Sequence, residues 1–243
     1  VASGRRPAIG FAHRGARGRA PDNSLEGFAL ALALGAAGLE SDVWLTADRV
    51  AVLDHDGRVS RTAGSGKRRA IGAFRRAELP LFIPSLKDLY AACGTNFDLS
   101  LDVLDPAAVD AVTGAARAAG AIERLWLCHP SIDQLASWRR RASQAHLVHS
   151  TSASGRRRDL AGHAADLRRA GIDAVNLRVN QWHSGMVEAY LSHELITLAW
   201  DAQSRRSLEW ALSLGIGGVY SDHMEAMVAA LATANAGRAN AST

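Results

Sequence analysis

Apolar residues along the chain fall into two kinds of run that alternate. Short stretches rich in Val, Ile, Leu and Phe predict strands at 8–13, 39–45, 97–104, 125–129, 146–150, 174–179, 196–200 and 218–222. Between them, Ala- and Leu-rich stretches with polar residues at helical intervals predict helices at 24–35, 85–92, 106–119, 132–141, 157–170, 185–192 and 207–214. Strand-helix alternation of this kind builds a parallel sheet with crossover helices. Eight such units in 243 residues fit a closed (β/α)8 TIM barrel, with a doubly wound open sheet as the alternative.

One element breaks the alternation. After the second strand come Thr46-Ala47-Asp48-Arg49, a turn signal, and then 50–55, which predicts a short returning strand. A polar, Gly-rich stretch follows, so a small hairpin and loop are inserted at about 46–67. The insertion leaves the C-terminal end of a barrel strand, the end at which barrels build active sites. No linker or composition break divides the rest. The chain reads as one domain over 1–243, with a flexible tail from about 232 where only small and polar residues remain.

Polar residues cluster at predicted strand ends. Glu40 and Asp42 lie two apart in a strand flanked by Leu39, Val43 and Leu45, so both side chains point the same way from a buried strand. Two like charges on a buried face repel and are costly to desolvate, unless a cation bridges them. Asp102, ending the third strand, can reach the same spot. Oxygen ligands without a neighbouring thiolate favour one hard divalent cation, Mg²⁺ or Ca²⁺. His13 ends the first strand and His55 the returning strand, and beside a carboxylate-bound metal they form an acid/base pair. Phosphodiester cleavage needs those parts: a base for the nucleophile, an acid for the leaving alkoxide, and positive charge for the transition state.

The ordered set His13-Arg14-Gly15, Pro21-Asp22-Asn23-Ser24, Gly38-Leu39-Glu40-Ser41-Asp42-Val43, Thr46 and His55-Asp56 resembles the motifs of the glycerophosphodiester phosphodiesterase family. Arg61-Thr62 with Gly64 and Gly66, Ile83-Pro84-Ser85-Leu86, and 214–222 continue the resemblance. It implies a barrel with His13 and His55 as catalytic histidines and a metal on Glu40, Asp42 and Asp102. It also implies a phosphate contact from Arg14 and a pocket-lining Trp200. The chain departs from the family at the third strand. Asp102 replaces a glutamate, as in the related phospholipase D toxins, and Leu104 replaces a lysine that faces phosphate. His129 or Arg178 is expected to supply part of the missing charge.

The implied reaction is hydrolysis of a small-molecule glycerophosphodiester to glycerol 3-phosphate and an alcohol. Phospholipase D-like activity on lysolipids or sphingolipids, and a non-catalytic phosphodiester-binding protein, are the alternatives. Composition narrows the picture a little further. The net charge of +4 comes from scattered basic runs, and only 6% of residues are aromatic, without the basic-aromatic interleaving of a nucleic-acid groove. Cys93 and Cys128 match no disulfide framework or zinc spacing and read as buried thiols. No apolar run is long enough to span a bilayer, so stable membrane insertion is not expected. With no signal-peptide pattern the expected compartment is the cytoplasm, with room for an upstream segment before Val1.

Overall fold

A computed structural model describes residues 7–60, 68–152 and 159–240, with side chains through residue 236. Eight parallel strands form the barrel: β1 (Ile9–His13), β2 (Gly38–Leu45), β6 (Asp98–Val103), β7 (Leu125–His129), β8 (His146–Ser150), β9 (Ala174–Arg178), β10 (Ile196–Trp200) and β11 (Gly218–Ser221). Their order is β1-β11-β10-β9-β8-β7-β6-β2, and the β1–β2 pairing closes the ring. The open-sheet alternative is thereby excluded. Helices α1 (Leu25–Ala33), α2 (Leu86–Cys93), α3 (Val109–Ala118), α4 (Ile132–Trp138), α5 (Leu160–Arg169), α6 (Ser184–Leu191), α7 (Arg205–Ser213) and α8 (Met224–Asn240) follow the strands.

The strands form where the sequence is apolar on both faces, because helices cover the outside and side chains fill the inside. Outward-facing Leu39, Leu99, Leu101, Leu127, Leu147, Val175 and Val219 are buried against the helix ring. Inward-facing Phe11, Trp126, Cys128, Val148, Ala174, Leu198 and Tyr220 make a separate inner core. Phe11 stacks on Tyr220 with ring centroids 4.7 Å apart. Several helices begin on a side-chain cap: Ser24, Ser85, Ser131, Asp159 and Ser204 each accept a hydrogen bond from a backbone N–H of the first turn. Losing such a cap costs about 1 kcal/mol.

The insertion is larger than the sequence suggested. Strand β3 (Ala51–Leu53) returns antiparallel along β2, and β4 (Arg58–Val59) pairs with β5 (Arg69–Ala70). Two 3₁₀ turns, Ile71–Ala73 and Arg76–Glu78, carry the chain on to α2. Val52, Val59, Ile71, Phe74, Leu79 and Ile83 form a small core of its own beneath it. The Gly-rich motif at 61–67 and the basic run at 156–158 lie outside the described residues.

Among the boundaries that differ from the sequence reading, three bear on it most. β3 ends at Leu53, so His55 stands in the bend beyond the strand rather than on its end. β9 ends at Arg178, and Val179 opens a 3₁₀ turn. The stretch from Ala232, expected as a tail, continues α8 as helix to Asn240. Cys128 is buried as expected, whereas Cys93 is only half-buried.

Candidate active site at the barrel mouth

The pairing register fixes which side chains meet. His13 lies opposite Glu40 across β1–β2, and Asp42 opposite Asp102 across β2–β6. Glu40, Asp42 and Asp102 share the inward phase of their strands near the C-terminal ends, and one oxygen from each lies within 4.8 Å of the others. Glu40 and Asp42 are buried, and Asp102 is half-buried where it faces the cavity at the mouth.

Burial raises the proton affinity of all three, and repulsion from neighbouring acids adds to it at Glu40 and Asp42. Burial, then Asp42 and Asp102, push Glu40 well above the ordinary carboxylate range. Burial, then Asp102, bring Asp42 up to about 7, against a downward pull from Arg14. Burial brings Asp102 to about 6, against a hydrogen bond with Cys128 and the charge of Arg14. The Asp42 Oδ2 atom is buried and has no hydrogen-bond partner. Three converging acids with an orphaned buried oxygen suit a hard divalent cation.

Arg14 takes a left-handed backbone conformation, φ 57°. That strained turn lets its N–H reach Glu40 Oε2 at 3.1 Å. Its guanidinium lies against the acids, with Nε 3.7 Å from Asp42 Oδ2 and Nη1 3.7 Å from Asp22 Oδ2. Asn23, also left-handed at φ 54°, accepts a hydrogen bond from Ser41 Oγ at 2.7 Å behind β2.

His13 Nδ1 donates to Asp222 Oδ1 at 2.6 Å, and Nε2 lies 3.8 Å from Glu40 Oε2. A carboxylate only accepts, so the proton of the neutral ring sits on Nδ1 and Nε2 offers its lone pair toward the acids. Burial lowers the His13 pKa, and the bond to Asp222 opposes that shift. His55 is half-exposed, with Nδ1 bonded to Asp56 Oδ1 at 2.8 Å, and its charge acts on Asp42. It stands at the rim and does not line the cavity that His13 faces.

That cavity, about 530 Å³, opens at the barrel mouth. Its walls include His13, Arg14, Arg17, Glu40, Asp102 and Trp200. Wall residues given no role from the sequence include Asp222, Gln203, Asn176, Ser150 and Tyr220. Gln203 Oε1 accepts the Asp222 backbone N–H at 2.8 Å, which holds the carboxylate under His13.

The two residues expected to replace the lysine charge lie elsewhere. His129 occupies the outward phase of β7, packs edge-on against Trp138, and accepts the Ser131 N–H on Nδ1 at 3.0 Å. Burial lowers its pKa, opposed by that bond, so a cationic His129 is disfavoured. Arg178 is paired with Asp201 Oδ2 at 2.6 Å, and its guanidinium lies over the Trp200 ring. Neither lines the cavity; among the described residues, the arginines that do are Arg14 and Arg17. Leu104 is 48% exposed, one residue past the end of β6, and also stays out of the cavity wall.

Fold and site together define a (β/α)8 barrel with an acidic, metal-type cluster and a histidine at its catalytic face. Residues 13–82 match the profile of the Glycerophosphoryl diester phosphodiesterase family. YhdW of Bacillus subtilis is 54% identical over 57 residues, which are 23% of this chain and 24% of YhdW. Glycerophosphodiester phosphodiesterase 1 of Bos taurus is 47% identical over 58 residues, 24% of this chain and 18% of the bovine protein. The match thus spans about a quarter or less of these relatives. Among solved structures, the glycerophosphodiester phosphodiesterase of Thermotoga maritima superposes with a TM-score of 0.78 at 18% identity, covering 91% of this chain and 97% of that one. A phosphodiesterase of Oleispira antarctica in complex with sn-glycerol-3-phosphate superposes with a TM-score of 0.76 at 19% identity, covering 92% and 96%. At those identities the structures speak for the fold. The profile match over residues 13–82 and the relatives' names agree with the resemblance that the sequence motifs carry.

Proposed function

We propose that the chain hydrolyses glycerophosphodiesters to glycerol 3-phosphate and an alcohol, with one divalent cation, Mg²⁺ or Ca²⁺, held by Glu40, Asp42 and Asp102. The observation that carries the reading is the convergence of three buried carboxylates beside the Nε2 of His13. The cation supplies Lewis-acid charge for the phosphoryl oxygens when bound. Arg14 and Arg17 add positive charge from the cavity wall. His13, held by Asp222 with Nε2 free, takes the proton of the nucleophile, which is either a water or the glycerol 2-hydroxyl, whose cyclic phosphate a water then opens to glycerol 3-phosphate. As the bond from phosphorus to the leaving oxygen breaks, His55 returns a proton to the departing alcohol. Trp200 borders the space for that alcohol. The bound sn-glycerol-3-phosphate of the Oleispira relative is the product this reading predicts.

The test is release of glycerol 3-phosphate from a panel of glycerophosphodiesters, with Mg²⁺, with Ca²⁺ and with excess chelator. Turnover should stop in chelator, and His13→Ala and His55→Ala should each lower kcat by ~10²–10⁴-fold. Silence toward every diester with either ion, or near-normal turnover in both variants, sinks the proposal.

One observation favours a lysolipid as the diester. Leu81 and Phe82, 93% and 74% exposed, project from the loop before α2, which is anchored by the bond of Leu53 N–H to the Pro84 carbonyl. If they seat the enzyme on lipid, a Leu81→Ser/Phe82→Ser variant loses lysophospholipid turnover and keeps turnover of soluble diesters.

A further inference from the structure

The side of the cavity across from the acids is built of amide and hydroxyl groups. Ser150 ends β8 and lies in register with Asn176 on β9. Thr151, Ser152 and Gln203 continue the same wall. Asn176 is the telling residue. It is 5% exposed, lines the cavity, and its Oδ1 has no hydrogen-bond partner among the described residues. Its Nδ2 makes only a long contact, 3.4 Å, to Ser150 Oγ. A buried acceptor without a donor is costly, and native structures seldom keep one without use.

The groups that would attract a quaternary ammonium are already engaged. Asp201 is paired with Arg178 at 2.6 Å. Asp222 holds His13 at 2.6 Å and Arg17 at 3.1 Å. The Arg178 guanidinium lies 5.6 Å from the Trp200 ring centroid, where a ligand cation would stack. Tyr220 is stacked on Phe11, and its hydroxyl is 3.0 Å from Ser100 Oγ.

We infer that the site selects diesters of polyols such as glycerol, with a ligand hydroxyl donating to Asn176 Oδ1, over diesters of choline. This inference rests on the phosphodiesterase reading of the same site. A trimethylammonium group has no N–H and would leave the acceptor buried and unpaired. A pocket built to bond a hydroxyl rejects analogues that lack it, by up to roughly 10⁴-fold where several bonds are lost. One orphan acceptor implies on the order of 10-fold.

The experiment compares glycerophosphoglycerol with glycerophosphocholine, by kcat/KM in the wild type and by calorimetric titration of the His13→Ala protein in Ca²⁺. Glycerophosphoglycerol should be favoured roughly 10-fold or more in both. Asn176→Leu should lower kcat/KM on the glycerol ester far more than on the choline ester and so remove the preference, while Asn176→Thr, which keeps an acceptor oxygen, retains part of it. Melting temperatures separate a folding defect in the leucine variant from lost recognition, and the threonine variant carries the test if leucine does not fold. Hydrolysis of both esters at equal efficiency, or an unchanged preference in Asn176→Leu, overturns the inference and leaves the phosphodiesterase reading intact. Preferential binding of the glycerol ester without turnover of any diester supports the inference and overturns that reading. Binding of neither ester overturns both.

Discussion

Replacing Asp42 with asparagine should stabilise the metal-free protein while removing its affinity for the cation. Asp42 is 7% exposed, its Oδ2 has no hydrogen-bond partner, and the nearest cation is Arg14 Nε at 3.7 Å. Burial and then Asp102 raise its pKa to about 7. In the unfolded chain the same group titrates near ~3.9. The folded state therefore binds the proton more tightly, and stability falls as pH rises from about 4 through about 7. Integrated over that interval, the ionised carboxylate costs about 4 kcal/mol. The asparagine escapes that cost and relieves Glu40 and Asp102, but it takes one of two carboxylate partners from Arg14, which keeps Asp22. The net gain in chelator at about pH 8 should be ~1–4 kcal/mol, which for a chain of this size is roughly 3–10 °C in Tm. The gap should close near about pH 4, where the carboxyl is neutral in both states. With a cation at 100 times its Kd the wild type gains about 2.7 kcal/mol and the variant gains little. Thermal melts across pH, with chelator and with Ca²⁺, read all of this. A variant less stable than wild type in chelator at about pH 8 would refute the reasoning, because it would mean that Asp42 is held by favourable contacts rather than repelled.

Two further outcomes follow from the site. Asp222→Asn removes the charge that fixes the His13 tautomer and raises its pKa. It should lower kcat by ~10²-fold or more with a smaller change in KM, and move the acid limb of the pH–rate profile to lower pH; an unmoved limb would mean that Asp222 is only structural. Leu104→Lys places a cation at the exposed end of β6, beside a cavity whose lining cations are Arg14 and Arg17. It should raise kcat/KM several-fold without changing Tm, since two charges at moderate separation near a protein surface interact by only about 1 kcal/mol or a little more. An inactive wild type rescued by this change would favour the reading of a non-catalytic, phosphodiester-binding protein.

The strands were legible because a parallel barrel buries both faces of each, leaving continuous apolar runs with sharp ends. The bounds of β7, β8 and β10 coincide with those read from the sequence. The acid cluster was legible for a different reason: Glu40 and Asp42 are two apart, and strand parity alone puts them on one face. Parity also explains a mistake. On β7 the inward residues are Trp126 and Cys128, so His129 turns outward to the helices and cannot serve the mouth. Arg178 shares the inward phase with Ala174 and Asn176, yet Asp201 captures it at the rim. Asp222 was hidden because its meeting with His13 depends on closure of the ring, which brings together residues 209 positions apart. The small core of the insertion was hidden likewise, since Val52 and Ile83 meet only after the hairpin has turned back. The helical end of α8 escaped because its Ala- and Asn-rich sequence carries no apolar stripe, although alanine itself favours the helix.

The barrel interior explains why the acids are so unfavourable alone. Directly below them, Ser100 precedes Asp102 by two residues on β6, and its hydroxyl lies 3.0 Å from Tyr220 Oη and 3.3 Å from Cys128 Sγ. Beneath that small polar knot Phe11, Trp126, Val148 and Leu198 fill the barrel. No path for water leads up to the carboxylates from that side of a close-packed core. Their solvation therefore comes from the mouth side, where Arg14 meets Glu40 with its backbone N–H and Asp42 with its guanidinium. A floor that excludes water raises the proton affinity of the acids and, by the same Coulomb energy, strengthens their attraction for a divalent cation. The inner core thus contributes to the chemistry of the mouth without touching substrate. Opening that floor, for example by Phe11→Ala, should lower the pKa values of Asp42 and Asp102 and weaken cation binding together, whereas a loss of fold stability alone would change neither in the molecules that remain folded.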